Sequence, residues 1–266
     1  MTGSPVAVTA WRALVAAGLA AALAAGCSAA TPASTPAAES LVVMASAEAY
    51  SSALRLRVGF VAQAGATADL EIRLATVEEI QTAVAAGDPQ LAFVVGEPDP
   101  QRWAAPITSV PIRLVVNAAT PLAEIDVEDL RGIFAGDLTD WQDLGGPAYA
   151  VRVITQESQF ETARAFQRDV LGGGQIGGGA IVAPSGWAMA QAVGDDQGAI
   201  GYLMCNDSTP RIRPLRIVGE GQPTSGEASA RLFAIALHAP TGAALEFLLW
   251  AQSPSGQQAL LANCGE

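Results

Sequence analysis

Leu70-Glu-Ile-Arg-Leu-Ala-Thr-Val-Glu-Glu-Ile-Gln-Thr-Ala-Val-Ala-Ala-Gly-Asp-Pro-Gln-Leu-Ala-Phe-Val-Val-Gly96 is the stretch whose reading decides the fold class. Leu70 to Leu74 reads as a strand. Val77 to Ala86 reads as a helix, because Val77, Ile80 and Val84 share one face and Gly87 supplies a stop. Leu91-Ala-Phe-Val-Val95 is then a short continuous apolar run, the mark of a buried strand, ended by Gly96-Glu-Pro98. Strand, helix and strand in alternation predict an α/β fold with mostly parallel sheets flanked by helices.

The same alternation continues outward. Upstream, Leu41-Val-Val-Met44 is suited to a buried strand. Downstream, Ile112 to Val116 is a strand closed by Asn117-Ala-Ala-Thr-Pro121. Asp126 can cap a helix whose Leu130, Ile133 and Phe134 face one way, with Gly136 beyond its end. Val151 to Thr155 is a strand, followed by a helix with Ala163, Phe166 and Val170 on one face. Gly172 to Gly179 holds six glycines in eight residues and is a loop. It carries no phosphate-cradle signature, since no strand leads directly into it and no Lys-Ser/Thr follows.

Charge and targeting signals narrow the function classes. The chain has 266 residues, 26 acidic groups and 14 basic ones, all arginine, for a net charge of −12. Such a field repels nucleic acid and argues against it as a partner. Arg12 is the only charge before Glu39, and the apolar run Ala13 to Ala25 is too short for a membrane span but right for a signal-peptide core. It ends Leu23-Ala24-Ala25-Gly26-Cys27, which resembles a lipobox, where the cysteine is acylated and becomes the new N-terminus. Residues 1–26 are thus expected to be a lipoprotein signal peptide, and 27–40 a flexible tether rich in Ala, Ser, Thr and Pro. The mature chain would be lipid-anchored on the outer side of the cytoplasmic membrane or in the periplasm. Cys205 and Cys264 remain, and outside the cytoplasm such a pair can form a disulfide; two free buried thiols are the alternative.

A family resemblance enters at Pro121-Leu-Ala-Glu-Ile-Asp-Val-Glu-Asp-Leu-Arg-Gly-Ile-Phe-Ala-Gly-Asp-Leu-Thr-Asp-Trp-Gln-Asp-Leu-Gly-Gly146. Ile133, Phe134, Gly136, Trp141, Leu144, Gly145 and Gly146 match the "I-F-x-G-x-x-x-x-W … L-G-G" run of phosphate-binding proteins of ABC importers. Gly198-Ala-Ile-Gly-Tyr202 and Glu246-Phe-Leu-Leu-Trp-Ala-Gln-Ser-Pro-Ser-Gly-Gln257 resemble the same family. The resemblance implies a two-lobed periplasmic-binding-protein fold, type II-like. One lobe would comprise 41–116 plus 209–266, the other 117–208, with a small ligand held between them. It also implies an ABC permease as partner, a monomeric protein, and no cofactor, metal or catalytic residue.

The ligand chemistry departs from that family's pattern. Phosphate-binding members carry "T-R-E-x-G-S-G-T" where this chain reads Thr155-Gln-Glu-Ser-Gln-Phe-Glu-Thr162. Gln156 stands in the arginine place, Phe160 in the serine place and Glu161 in the last glycine place, so a cation is lost and a carboxylate is gained. Candidate ligand-binding residues are Ser46, Gln156, Ser158, Phe160, Glu161 and Thr162. Three readings stay open: a binder of a non-phosphate solute, a true phosphate or oxyanion binder, and a surface interaction lipoprotein with a vestigial cleft. A hydrolase is the alternative of another class. It has little to build on, because His238 is the only histidine and no Gly-x-Ser-x-Gly elbow or Cys/His metal spacing occurs.

Overall fold

The computed structural model describes residues 40–64, 69–219 and 228–264. Cys27, the signal segment and all but the last residue of the tether lie outside them. The elements are β1 (Leu41–Ala45), α1 (Tyr50–Ala64), β2 (Leu70–Leu74), α2 (Val77–Ala86), β3 (Leu91–Val95), β4 (Trp103–Asn117), β5 (Glu124–Asp126) and α3 (Val127–Ala135). There follow β6 (Arg152–Gln156), α4 (Glu161–Asp169), β7 (Ile181–Ala183), α5 (Gly186–Asp195), β8 (Ala199–Met204), β9 (Ile212–Pro214) and β10 (Arg216–Val218). The chain closes with β11 (Ser229–Ala236), α6 (Gly242–Gln252) and α7 (Pro254–Leu261).

The stretch 70–96 folds as β2, α2 and β3, with the boundaries its periodicity marks. Thr76 caps α2, accepting from the Glu79 amide while the Glu79 carboxylate returns to the Thr76 N–H. Gly87 ends it in the left-handed region at φ 82°. Asp126 likewise caps α3 by accepting from the Glu128 amide, and Leu130, Ile133 and Phe134 are all buried.

The main sheet runs β2-β1-β3-β11-β4-β8-β6-β7, with β9 also on β4. Its flanks are parallel, β1 with β2 and β3, and β6 with β7 and β8. Its centre is antiparallel, because β11 returns late in the chain to lie between β3 and β4, and β8 runs against β4. The sheet is therefore more mixed than the alternation alone suggested.

Strand β4 joins the two halves. Trp103–Pro111 pairs with β11, whereas Ile112–Val116 pairs with β8. The sequence pattern marked only the second half as strand. Pro106 and Pro111 interrupt the first half, yet there β4 has β11 as its single paired neighbour among the described residues, so the missing N–H groups are tolerated as on an edge. Residues 212–218 pair as β9 with Val115–Asn117 and as β10 with β5. The short helical turn Cys205–Asp207 after β8 packs back toward α1, where Asn206 donates to Ser52 Oγ at 2.6 Å and Arg55 donates to the Asn206 carbonyl at 2.7 Å.

Each half has an aromatic nucleus. In the second, Phe166 stacks on Tyr202 with centroids 4.0 Å apart, Phe134 lies 5.1 Å from Phe166, and buried Trp141 donates to the Gly198 carbonyl at 2.9 Å. In the first, Phe93 stacks on Phe247, and Phe60 meets Phe247 edge-on. The Cys205 and Cys264 sulfurs are bonded, with Cα atoms 5.0 Å apart, joining the end of α7 to the chain just after β8.

Candidate functional site

Where the two halves meet, the turn after β1 faces the start of α4. Ser46 opens that turn: its amide donates to the Phe93 carbonyl and its hydroxyl accepts from the Ala49 amide at 3.3 Å, starting α1. Two residues on, Glu48 reaches across to α4. Its carboxylate accepts from the Glu161 amide at 3.2 Å, the Thr162 amide at 2.9 Å and the Thr162 hydroxyl at 2.8 Å. The residue at the N-cap of α4 is Phe160, which has no side chain able to satisfy those amides. The cap is supplied from 113 residues away in sequence.

Glu48 is 9% exposed and Thr162 is 1% exposed. Burial pushes the Glu48 carboxyl above its usual range, the Thr162 and Glu161 hydrogen bonds pull it back, and the Glu161 charge pushes it up again. The positive end of α4 is thus already occupied by the protein's own carboxylate.

A second carboxylate sits close by. Asp207 is 7% exposed, and burial raises its pKa to about 6, against the pull of a Ser51 hydrogen bond and the Arg55 charge. The Glu48 charge adds to the rise. Asp207 Oδ2 lies against Gly186, the first residue of α5, so closely that a Cβ there would overlap it. The starts of α4 and α5 thus each lie against an internal acid.

Among the six candidate residues, the structure brings Thr162 and the Glu161 backbone to Glu48. Ser46 is tied up in starting α1. The Glu161 side chain takes no part in the seat: it turns to Arg164, whose Nη2 lies 2.8 Å away, and packs beside Gly96, held at φ 94°. Phe160 packs partly buried against the core. Gln156 is 5% exposed; its backbone N–H donates to the Tyr202 hydroxyl, which also pairs with Thr155 Oγ1 at 2.8 Å, while the side-chain Oε1 has no partner among the described residues. Ser158 is exposed, at the surface beyond β6.

Glu48, Asp207 and Tyr202 were not singled out from the sequence. Glu48 had one legible signal: an uncapped helix start at Phe160 requires an acceptor from elsewhere. The adjacent acids Glu78-Glu79 and Asp195-Asp196 lie elsewhere. Glu79 belongs to the α2 cap, and Asp195 and Asp196 pair with Arg211 and Arg152. Among the described residues, no three His, Cys, Asp or Glu side chains form a metal-binding group, and no helix is long and apolar enough to cross a membrane.

Two α/β halves sharing strand β4, with the starts of α4 and α5 turned toward their junction, define a two-lobed architecture of the periplasmic-binding-protein type. The chain belongs to the PBP superfamily, whose domain matches residues 30–225. It is 25% identical over 166 residues to the phosphate-binding protein PstS of Bacillus subtilis, a match covering 60% of this chain and about half, 55%, of that relative's length. Its fold is similar to a Clostridium perfringens protein described as a phosphate ABC transporter substrate-binding protein with bound phosphate. That likeness has a TM-score of 0.67 at 17% identity, over 84% of this chain and 97% of the other. A Pseudomonas aeruginosa protein described as a LysR-family transcriptional regulator is also similar, with a TM-score of 0.58 at 15% identity over 82% of this chain and 72% of that one. Transporter components and regulators share this fold, so function has to be argued from the site.

Proposed function

We propose that this chain is the lipid-anchored, extracytoplasmic solute-binding component of an ABC importer, and that its solute is not phosphate. Family membership, the phosphate-binding relative and the fold shared with a phosphate ABC transporter substrate-binding protein support the importer reading. The run ending at Cys27 supports export and anchoring. The observation that carries the ligand reading is Glu48: its carboxylate accepts three hydrogen bonds at the N-terminus of α4, where an oxyanion would otherwise accept them. A phosphate dianion entering there must displace a buried carboxylate and then sit near it, and near Asp207, with no arginine at position 156 to offset the repulsion.

Isothermal calorimetry and thermal shift on the mature domain test this directly. Phosphate is expected to release no measurable heat and to leave the melting temperature unchanged. Micromolar phosphate binding overturns the reading and returns the protein to the phosphate binders.

A further inference from the structure

The glycine-rich loop, left without a role by the sequence, forms one wall of a cavity of about 410 Å³. The cavity lies entirely within residues 155–182, between the ends of β6 and β7, the side of α4, and the loop. Ser46, Glu48 and Thr162 do not line it, whereas Gln156 and Ser158 do, so it lies beside the seat at the α4 N-terminus without including it. Its size falls in the range of small-molecule sites, about 300–1,000 Å³.

The loop is held in place rather than slack. Gln167 on α4 donates to the Gly174 carbonyl at 3.0 Å. The Gly177 amide donates to the Phe134 carbonyl at 2.8 Å, and a Cβ at Gly177 would fall 2.5 Å from the Ala135 carbonyl oxygen, so only glycine lets the loop approach α3 this closely. Ala180 N–H returns to the Gly177 carbonyl, which turns the chain into β7. A six-glycine segment thus has a defined path with one face open to the cavity.

The lining is uncharged throughout. It carries three primary amides, Gln156, Gln167 and Gln175, the Ser158 hydroxyl, and apolar surface from Val182 among others. Amides and hydroxyls both donate and accept, which suits a ligand rich in hydroxyl groups. An ion placed here finds no counter-charge to offset its lost hydration.

We infer that this cavity binds an uncharged, polyhydroxylated solute of about mono- or disaccharide size, its hydroxyls meeting the glutamine amides and its C–H face resting on the apolar side. The site goes beyond the proposed importer function and stands independently of it.

The test is amide-resolved NMR of the mature domain, titrated separately with glucose, trehalose, myo-inositol, glucuronate and inorganic phosphate. At least one of the three neutral probes is expected to shift the side-chain amides of Gln167 and Gln175 and the backbone amides of Gly177 and Gly178, and glucuronate to leave them in place. A Cβ at Gly178 meets open space, so Gly178→Leu should fill the cavity without disturbing the fold and weaken that probe at least tenfold. If none of the neutral probes moves these signals at millimolar concentration, or if Gly178→Leu binds as well as the parent, the inference is wrong. Shifts at Thr162 on adding phosphate bear instead on the Glu48 seat and overturn the ligand reading above without touching this one.

Discussion

Glu48 makes two separable contributions. As a remote cap it satisfies amides that Phe160 cannot, and charge-assisted hydrogen bonds contribute about 1.5–3 kcal/mol each at most, less where water can replace the partner. Glu48→Ala should therefore destabilise the domain by about 1–3 kcal/mol in urea unfolding, and Glu48→Gln, which keeps one acceptor oxygen, by less. As an occupant it should also block anions. Restoring the family pattern alone, with Gln156→Arg, Phe160→Ser and Glu161→Gly, leaves Glu48 in the seat, and calorimetry should detect little phosphate binding. Adding Glu48→Ala to that triple variant should raise phosphate affinity about tenfold or more. Equal affinity in the triple and quadruple variants would remove Glu48 from the explanation.

Asp207 carries a pH signature of its own. Its folded pKa of about 6 lies above the unfolded aspartate value of about 3.9. Between those values the folded protein keeps a proton the unfolded chain has released. The group's contribution therefore favours folding at low pH and is lost as pH rises through about 6. The difference is on the order of 3 kcal/mol. Asp207→Asn cannot titrate, so its stability relative to the parent should climb by up to that amount between about pH 4 and 7. Parallel pH–stability curves for the two proteins would show that Asp207 does not titrate as described.

At the scale of elements, the spacing of apolar residues made much of the fold legible. β2, α2 and β3 begin and end where periodicity, Gly87 and the Pro98 boundary place them, and α3 follows its Asp126 cap. The first half of β4 was hidden because Pro106 and Pro111 are normally evidence against a strand, and only knowing that this half lies on an edge reverses the inference. Side-chain traffic between distant elements was the least legible. Nothing local to Glu48 states that it will cap α4, 113 residues on.

The α5 start gives a test at this level. Gly186 is a poor helix former, so an alanine there would gain up to about 1 kcal/mol from propensity alone. The overlap of its Cβ with Asp207 Oδ2 predicts the opposite sign: Gly186→Ala should cost about 1–3 kcal/mol. Combining it with Asp207→Ala should cost less than the two changes summed, because the second removes the clash. Simple additivity in chemical unfolding would mean that the two residues do not press on each other.

For the molecule as a whole, the covalent ties are the clearest subjects for prediction. The Cys205–Cys264 bond spans a sequence separation of 59 and fastens the chain after the last helix to the segment just after β8. Chain-entropy arguments for a loop of that size give about 4 kcal/mol, so Cys264→Ser should lower stability by roughly that amount in exported protein, measured by denaturant unfolding. The lipid anchor is tested by mass spectrometry of membrane-extracted protein. An N-terminus at Cys27 carrying acyl mass is expected, and a soluble mature chain beginning elsewhere would refute it.

The contact between Glu48 and α4 can also be treated as competition between a tethered and a free ligand. A carboxylate tethered to the turn after β1 lies within hydrogen-bond distance of the α4 amides, so its effective concentration at that seat is in the millimolar range or above. A free anion has to exceed that local dose before it gains any occupancy, whatever its intrinsic affinity. Here the Glu48 carboxylate already holds the Glu161 and Thr162 amides, so a solute at this seat must first displace it.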